Sequence, residues 1–161
     1  MASMESSGES GFRTFEDLEV YKHAREFRKE LYAVSRQLPA EERFALCDQI
    51  RRAAVSLTNN IAEGHGRYHF QEQIRFLLIA RGSLEELIDD LNTCLDESYL
   101  PAEEVERLRA LGWRVHRILA GYLRHLRQRR DEDLAGLKEP STSYRTRIDL
   151  VPQAEVPPFE D

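Results

Sequence analysis

The stretch QIRRAAVSLTNNIAEGHGRYH, Gln49–His69, decides the fold class of this chain. Its apolar side chains recur at steps of three and four, which places them on one face of a helix: Ile50, Ala54, Leu57 and Ile61. The run then reaches Gly64, and a glycine in the left-handed conformation ends a helix at little steric cost. We therefore predict an amphipathic helix that ends near Gly64, followed by a turn into another helix.

Three further stretches carry the same helical period, and strand-type alternation is absent. Their apolar residues run through 18–38, 74–95 and 105–126, and the third helix is expected from about His69 to Glu97. Thr14 and Asp17 form a capping-box pattern at the first helix. The string LPAEE occurs at 38–42 and 100–104, and each copy predicts a helix start with proline in the first helical position. Short connections between long helices predict an all-α fold, an antiparallel up-down-up-down four-helix bundle with disordered termini.

The chain divides into a bundle and two tails. We assign residues 12–130 to the bundle and residues 1–11 to a disordered N-terminal segment. Residues 131–161 hold eight acids against three Lys/Arg and four of the six prolines, which predicts an acidic disordered tail. Within this tail YRTRIDLV, at 144–151, has the composition of a segment that adds as a strand to a partner. No apolar run reaches the length of a membrane span, and the two cysteines stand alone, so we expect a cytoplasmic protein.

Charge is segregated within the bundle. Residues 82–106 hold nine acids and no Lys or Arg, whereas residues 107–130 hold eight arginines and no acid. In an antiparallel hairpin the basic end of the fourth helix lies beside the start of the third. We expect a basic pole, which either neutralises phosphates or meets an acidic protein surface, made of Arg67, Arg75, Arg124, Arg127, Arg129 and Arg130.

The residues give little reason to expect catalysis or a metal. His65 and His69 are four apart, but Gly66 lies between them and no third ligand follows at a useful spacing. The corner lacks the spacing of a phosphate loop, although Arg67 and backbone N–H groups could still meet an anion there. No nucleophile, base and orienting group occur together. We expect no catalytic residue, no metal, no cofactor and no small-molecule substrate.

Three strings resemble a known family when they are read together. They are the opening F-x-x-L-x-V-Y at 15–21, QIRRAAVSLTNNIAEG at 49–64 and ARGSLEEL at 80–87. Residues 12 to about 127 resemble the bacterial four-helix bundle proteins first described as reading frames in intervening sequences of 23S rRNA. The positions that match the family's motif, and for which we expect a role in the helix junction or the subunit interface, are Arg51, Arg52, Asn60, Glu63, Gly64, Arg81, Gly82 and Ser83.

The resemblance implies a homopentamer without enzymatic activity. A similar protein, the accessory variability protein of diversity-generating retroelements, partners a reverse transcriptase and binds nucleic acid through basic surface. We therefore expect an adaptor for RNA, DNA or a nucleic-acid enzyme. Arg51 and Arg52 are expected to pair, either between helices or between subunits, with acids such as Glu85 or Glu86. The alternative is a protein-binding scaffold that recruits its partner through the tail and binds no nucleic acid.

Overall fold

Four α-helices make up almost all of the structure, a computed structural model that describes residues 14–138. They are α1 (Glu19–Ser35), α2 (Leu46–His65), α3 (Phe70–Asp96) and α4 (Ala102–Lys138). Two short 3-10 helices, Phe15–Asp17 and Ala40–Phe44, precede α1 and α2. The predicted all-α, four-helix architecture is confirmed. The expected disordered segment 1–11, and residues 139–161 of the expected tail, lie outside the described residues.

Contacts between the helices fix their directions. Gln49 Nε2 on α2 donates to Asp90 Oδ1 on α3 at 2.7 Å, and the Ser56 and Ser83 hydroxyls lie 2.8 Å apart. The residue numbers of these contacts increase along α2 while they decrease along α3, so the two helices run in opposite directions. The same relation holds between α3 and α4, through the contacts Glu85–His116 and Gln71–Arg130. It holds between α1 and α2 through Arg28–Thr58 and Ser35–Arg51, and between α1 and α4 through Glu30–Arg107 and Phe27–Gly112.

The core contains the apolar positions that the helical period predicted. Its largest fully buried side chains come from all four helices and include Phe27, Leu31, Ile50, Leu57, Ile61, Leu77, Leu84, Leu87, Leu91, Leu108 and Leu119. Gly112 on α4 permits close packing, because an added Cβ would lie 3.1 Å from Phe27 Cζ and 3.2 Å from Ile88 Cγ1. This burial of large side chains is the main favourable term in folding.

The helix starts differ from the predictions by a few residues. The Thr14–Asp17 capping box is present, but it caps the start of the first 3-10 helix, and α1 begins only at Glu19. Pro39 is the N-cap of the second 3-10 helix, so it does not occupy the first position of α2, which begins at Leu46. The Glu42 side chain caps the start of α2 instead, because its Oε2 accepts a hydrogen bond from the Leu46 N–H at 3.2 Å. Its Oε1 accepts a hydrogen bond from the Tyr99 hydroxyl at 2.8 Å.

Two helix ends differ in detail from the sequence analysis. The end of α2 near Gly64 is confirmed, since the helix ends at His65, but Gly64 itself is not left-handed, because no glycine among the described residues has a positive φ. It is buried instead against α3, where an added Cβ would lie 3.2 Å from Phe76 Cβ and 3.3 Å from the Gln73 carbonyl oxygen. The fourth helix does not end at Arg130 but continues to Lys138, because good helix formers and an i,i+4 bond from Gln128 to Glu132, at 3.0 Å, support it without a buried face.

Candidate nucleic-acid and partner interface

The arginines at the end of α4 lie beside the start of α3. Arg130 donates to Gln71 Oε1 at 3.1 Å, and the Arg129 guanidinium lies 6.0 Å from the centre of the Phe70 ring. Arg124 and Arg127 are exposed and form no ion pair within residues 14–138. The geometry that the sequence predicted for this end of the bundle is therefore present: cations on α4 close to the first turn of α3.

Arg67 and Arg75 occupy the same end of the bundle with different surroundings. Arg67 is half-buried, forms an ion pair with Glu63 and lies 4.7 Å from the centre of the Phe76 ring. Because its guanidinium already has a carboxylate and an aromatic face, Arg67 is a weaker candidate for binding an anion than the sequence indicated. Arg75 is exposed and lines an open groove of about 550 Å³ on α3, together with Leu78 and Ile79.

Acids on the extension of α4 lower the positive charge of this end. Asp131, Glu132 and Asp133 follow Arg130 directly on the same helix, and Asp131 Oδ1 accepts from Arg130 Nη2 at 2.8 Å. Sequence analysis assigned these acids to a detached tail, whereas the helix holds them next to the arginines. Arg124, Arg127 and Arg129 are therefore the cations at this end best able to meet a phosphate.

Arg51 and Arg52 do not pair with Glu85 or Glu86 within the chain, so that expectation is wrong for the single subunit. Arg51 Nε donates to Ser35 Oγ at 2.9 Å, and Arg52 Nε lies 3.2 Å from Asp48 Oδ2. Glu85 instead meets His116 Nε2 on α4 at 3.2 Å. Both arginines are exposed: Arg51 turns toward α1, and Arg52 lies along α2.

The other motif positions lie at or near the contact between α2 and α3. Asn60 Nδ2 donates back to the Ser56 carbonyl at 2.8 Å, so it stays within α2 and does not cross to another helix. Ser83 is buried and shares a hydrogen bond with Ser56, the partner that sequence analysis did not find. Gly64 brings the two helices close. Glu63 forms an ion pair with Arg67.

Arg81 and Gly82 do not take part in this contact. Both are exposed, and an added Cβ at Gly82 would meet no atom within 4 Å. Gly82 therefore permits no close helix approach within the chain, so it serves no helix junction there. A role at a contact between subunits stays a prediction.

Asp90 is a buried carboxylate that the sequence analysis missed. It is 4% exposed, and its Oδ2 has no hydrogen-bond partner in the described part of the chain. Burial raises the pKa of Asp90 to about 6, the Glu86 and Asp89 carboxylates act in the same direction, and the hydrogen bond from Gln49 opposes them. The helical period of α3 places position 90 on the face that points into the bundle. An acidic residue at such a position was the signal in the sequence that could have revealed this buried carboxylate.

Residues 14–138 contain neither a cluster of metal-ligating side chains nor a helix able to span a membrane. In residues 14–138, no three His, Cys, Asp or Glu side chains lie close enough together to hold a metal ion, and His65 and His69 belong to no such group. None of the four helices is long and apolar enough to cross a membrane, taking the described residues alone.

Comparison with known proteins relates the chain to one family. The sequence model described as "23S rRNA-intervening sequence protein" matches residues 16–121, about two thirds of the chain. None of the curated proteins compared with the chain matches it. Among solved structures, a protein of unknown function from the S23 ribosomal protein family of Bacteroides thetaiotaomicron matches with a TM-score of 0.61 and 22% identity. The match covers 65% of this chain and 95% of that one, and at this identity it shows the fold alone.

Proposed function

The chain belongs to the 23S rRNA-intervening sequence protein family, and from that premise we propose that it is a non-enzymatic, homo-oligomeric adaptor. Its basic pole contacts nucleic acid, or a nucleic-acid enzyme such as a reverse transcriptase. One observation carries the proposal: exposed arginines from the end of α4 gather at the start of α3, and Arg124 and Arg127 have no carboxylate partner within residues 14–138. Such cations gain most by neutralising phosphates, with release of counterions.

The proposal extends to a homopentamer, the assembly that the family resemblance implies. Its support within the chain is a stretch of α3 where exposed Ile79, at 45%, lies close in sequence to the unobstructed Gly82. An assembly of five copies would repeat the basic pole five times, and repeated weak contacts bind a long polyanion far more tightly than one contact does. Light scattering coupled to size-exclusion chromatography tests the number of copies, and a monomer would refute the assembly.

The experiment for nucleic-acid binding is an anisotropy titration of structured RNA and duplex DNA at two salt concentrations. The intact chain is compared with a variant carrying glutamate at Arg124, Arg127, Arg129 and Arg130. We expect binding that weakens steeply with salt and is lost in the variant. The matched control reverses charge at four exposed arginines outside the pole, Arg25, Arg43, Arg114 and Arg117. Equal loss in both variants would mean that net charge, not the pole, binds the polyanion.

The alternative function, a protein-binding scaffold, has an observation of its own. The extension of α4 carries Leu134, 51% exposed, and Leu137, 81% exposed, beyond the residues that contact α3. Exposed leucines on one helix are typical of a surface that a partner protein covers. The scaffold is the correct function if a partner protein still binds the variant with glutamates at the basic pole but no longer binds the double variant Leu134→Ser, Leu137→Ser.

A further inference from the structure

A basic groove of about 460 Å³ runs between α1 and α2. It is lined by Arg28, Lys29, Tyr32, Arg36 and Val55, that is, by three cations and no acid. None of the six arginines of the basic pole lines it. Its volume lies within the range of small-molecule sites in proteins, about 300–1,000 Å³. This groove is therefore a second basic surface with the dimensions of a ligand site.

Arg28 is fixed in the groove by a neutral partner. Its Nη1 donates to Thr58 Oγ1 on α2 at 2.7 Å, and Thr58 is 1% exposed. The Thr58 hydroxyl in turn donates to the Val55 carbonyl at 3.2 Å, so its lone pair is left to accept from Arg28. The bond orients the guanidinium but leaves its positive charge uncompensated, because a hydroxyl carries no net charge.

A second arginine beside the groove is held in the same way from the opposite helix. Arg51 Nε on α2 donates to Ser35 Oγ on α1 at 2.9 Å, and the Ser35 hydroxyl donates to the Tyr32 carbonyl at 2.9 Å. The Arg51 guanidinium also lies 5.9 Å from the centre of the Tyr32 ring. Two reciprocal arginine–hydroxyl bonds thus connect α1 and α2, and both leave a cation at the groove.

The charge of this groove contrasts with that of other arginines. Arg107 is neutralised by Glu30 at 2.7 Å and Glu104 at 2.8 Å, and Arg52 by Asp48. Within residues 14–138, Arg28, Lys29, Arg36 and Arg51 form no ion pair. Cations that gather on one open groove without a carboxylate partner raise the local potential and attract anions.

The spacing of the cations indicates the shape of the anion. Arg28 on α1 and Arg36, the C-cap residue of that helix, are eight residues apart, a helical rise of about 12 Å. An extended chain of phosphates matches this spread better than a single phosphate group does, and Tyr32 and Val55 offer apolar surface for a sugar or base. We propose that the α1–α2 groove binds a nucleoside triphosphate, with its phosphates on Arg28, Lys29 and Arg36.

Isothermal titration of the full chain with adenosine triphosphate, inorganic triphosphate and adenosine monophosphate tests this site. We expect the two triphosphates to bind and the monophosphate to bind at least tenfold more weakly. Arg36→Glu, and separately Arg28→Gln, should weaken triphosphate binding about 10- to 100-fold, the range for loss of a charge-assisted hydrogen bond. The matched control, Arg114→Glu on α4, should change it less than twofold, and circular dichroism melts verify that each variant is folded.

Three results would overturn the site. They are no heat from adenosine triphosphate at low salt, unchanged binding by Arg36→Glu, and monophosphate binding as tight as triphosphate binding. A short RNA that binds and is lost in Arg36→Glu, while free triphosphates do not bind, would make the groove a polynucleotide surface and overturn the nucleotide. The variant with glutamates at the basic pole should bind triphosphate unchanged, so the groove and the pole are tested separately.

Discussion

Asp90→Asn should remove the pH dependence that one buried carboxylate gives to folding. Asp90 is 4% exposed, one oxygen accepts from Gln49 at 2.7 Å, and the other has no partner among the described residues. Burial first, and the neighbouring carboxylates second, raise its pKa from 3.8 to about 6. The folded chain therefore prefers this side chain protonated, and above pH 6 folding must bury a poorly compensated charge.

The sign and the size of the effect follow from linkage. Because the folded-state pKa of Asp90 lies above the unfolded value, its contribution to stability is fully present below pH 3.8 and is lost as pH rises through about 6. The gap between the two pKa values corresponds to a loss of about 2–3 kcal/mol by pH 7. Asparagine keeps an oxygen for the bond from Gln49 and does not ionise. Its buried amide adds an offset in stability that does not depend on pH.

The assay is urea denaturation of both proteins at pH values from 4 to 8. The stability of Asp90→Asn minus that of the parent should rise by about 2–3 kcal/mol between pH 4 and pH 7, since all other titrating groups cancel in the difference. Asp96→Asn is the matched control, because it removes the same charge from an exposed position on α3 whose carboxylate does not act on the pKa of Asp90, and it should change stability by less than about 0.5 kcal/mol. A difference for Asp90→Asn that stays flat with pH would refute the account of this carboxylate.

Four further predictions concern α2, α3 and the 3-10 helix before α2. Gly82→Ala should stabilise the chain by about 0.5–1 kcal/mol in urea denaturation, because alanine favours a helix more than glycine does and the added methyl group enters open space. Gly64→Ala should destabilise the chain by about 1–3 kcal/mol, because the added Cβ meets Phe76 and the Gln73 carbonyl. A Gly82→Ala variant that loses oligomer mass would place Gly82 against another copy. Glu42→Ala should cost about 1–2 kcal/mol, because it removes the partner of the Leu46 N–H and the Tyr99 hydroxyl, while Glu41→Ala, at an exposed neighbour, should be near neutral. Cys94 should resist alkylation at pH 8 until the chain unfolds, because it is fully buried and burial raises its pKa to about 11; rapid labelling of the folded protein would contradict its position.

The fold was predictable because the residues that repeat with the helical period are the same residues that form the core. Every helix buries a stripe at steps of three and four, so the pattern identified four helices and most of the core. Helix ends were less predictable, since they depend on what surrounds them. Gly64 matches a helix stop when considered alone, but α3 lies against it and selects it for its lack of a side chain. The last turns of α4 have no apolar stripe facing a neighbour, so periodicity could not detect them.

The two basic surfaces show why charge is harder to predict than the core. The basic pole was visible in the sequence because its arginines follow one another on α4 with no acid between them. In α1 the cations of the groove alternate with acids, so a count along the chain finds little net charge. The helix separates them by face: Glu30 turns to Arg107 on α4, Glu26 lies 3.7 Å from His23, and Arg28 turns to Thr58 on α2. A ligand interacts with the charges on one face of the bundle. The packing of the other helices decides which acids lie on that face, so a count of charges along the chain does not predict it.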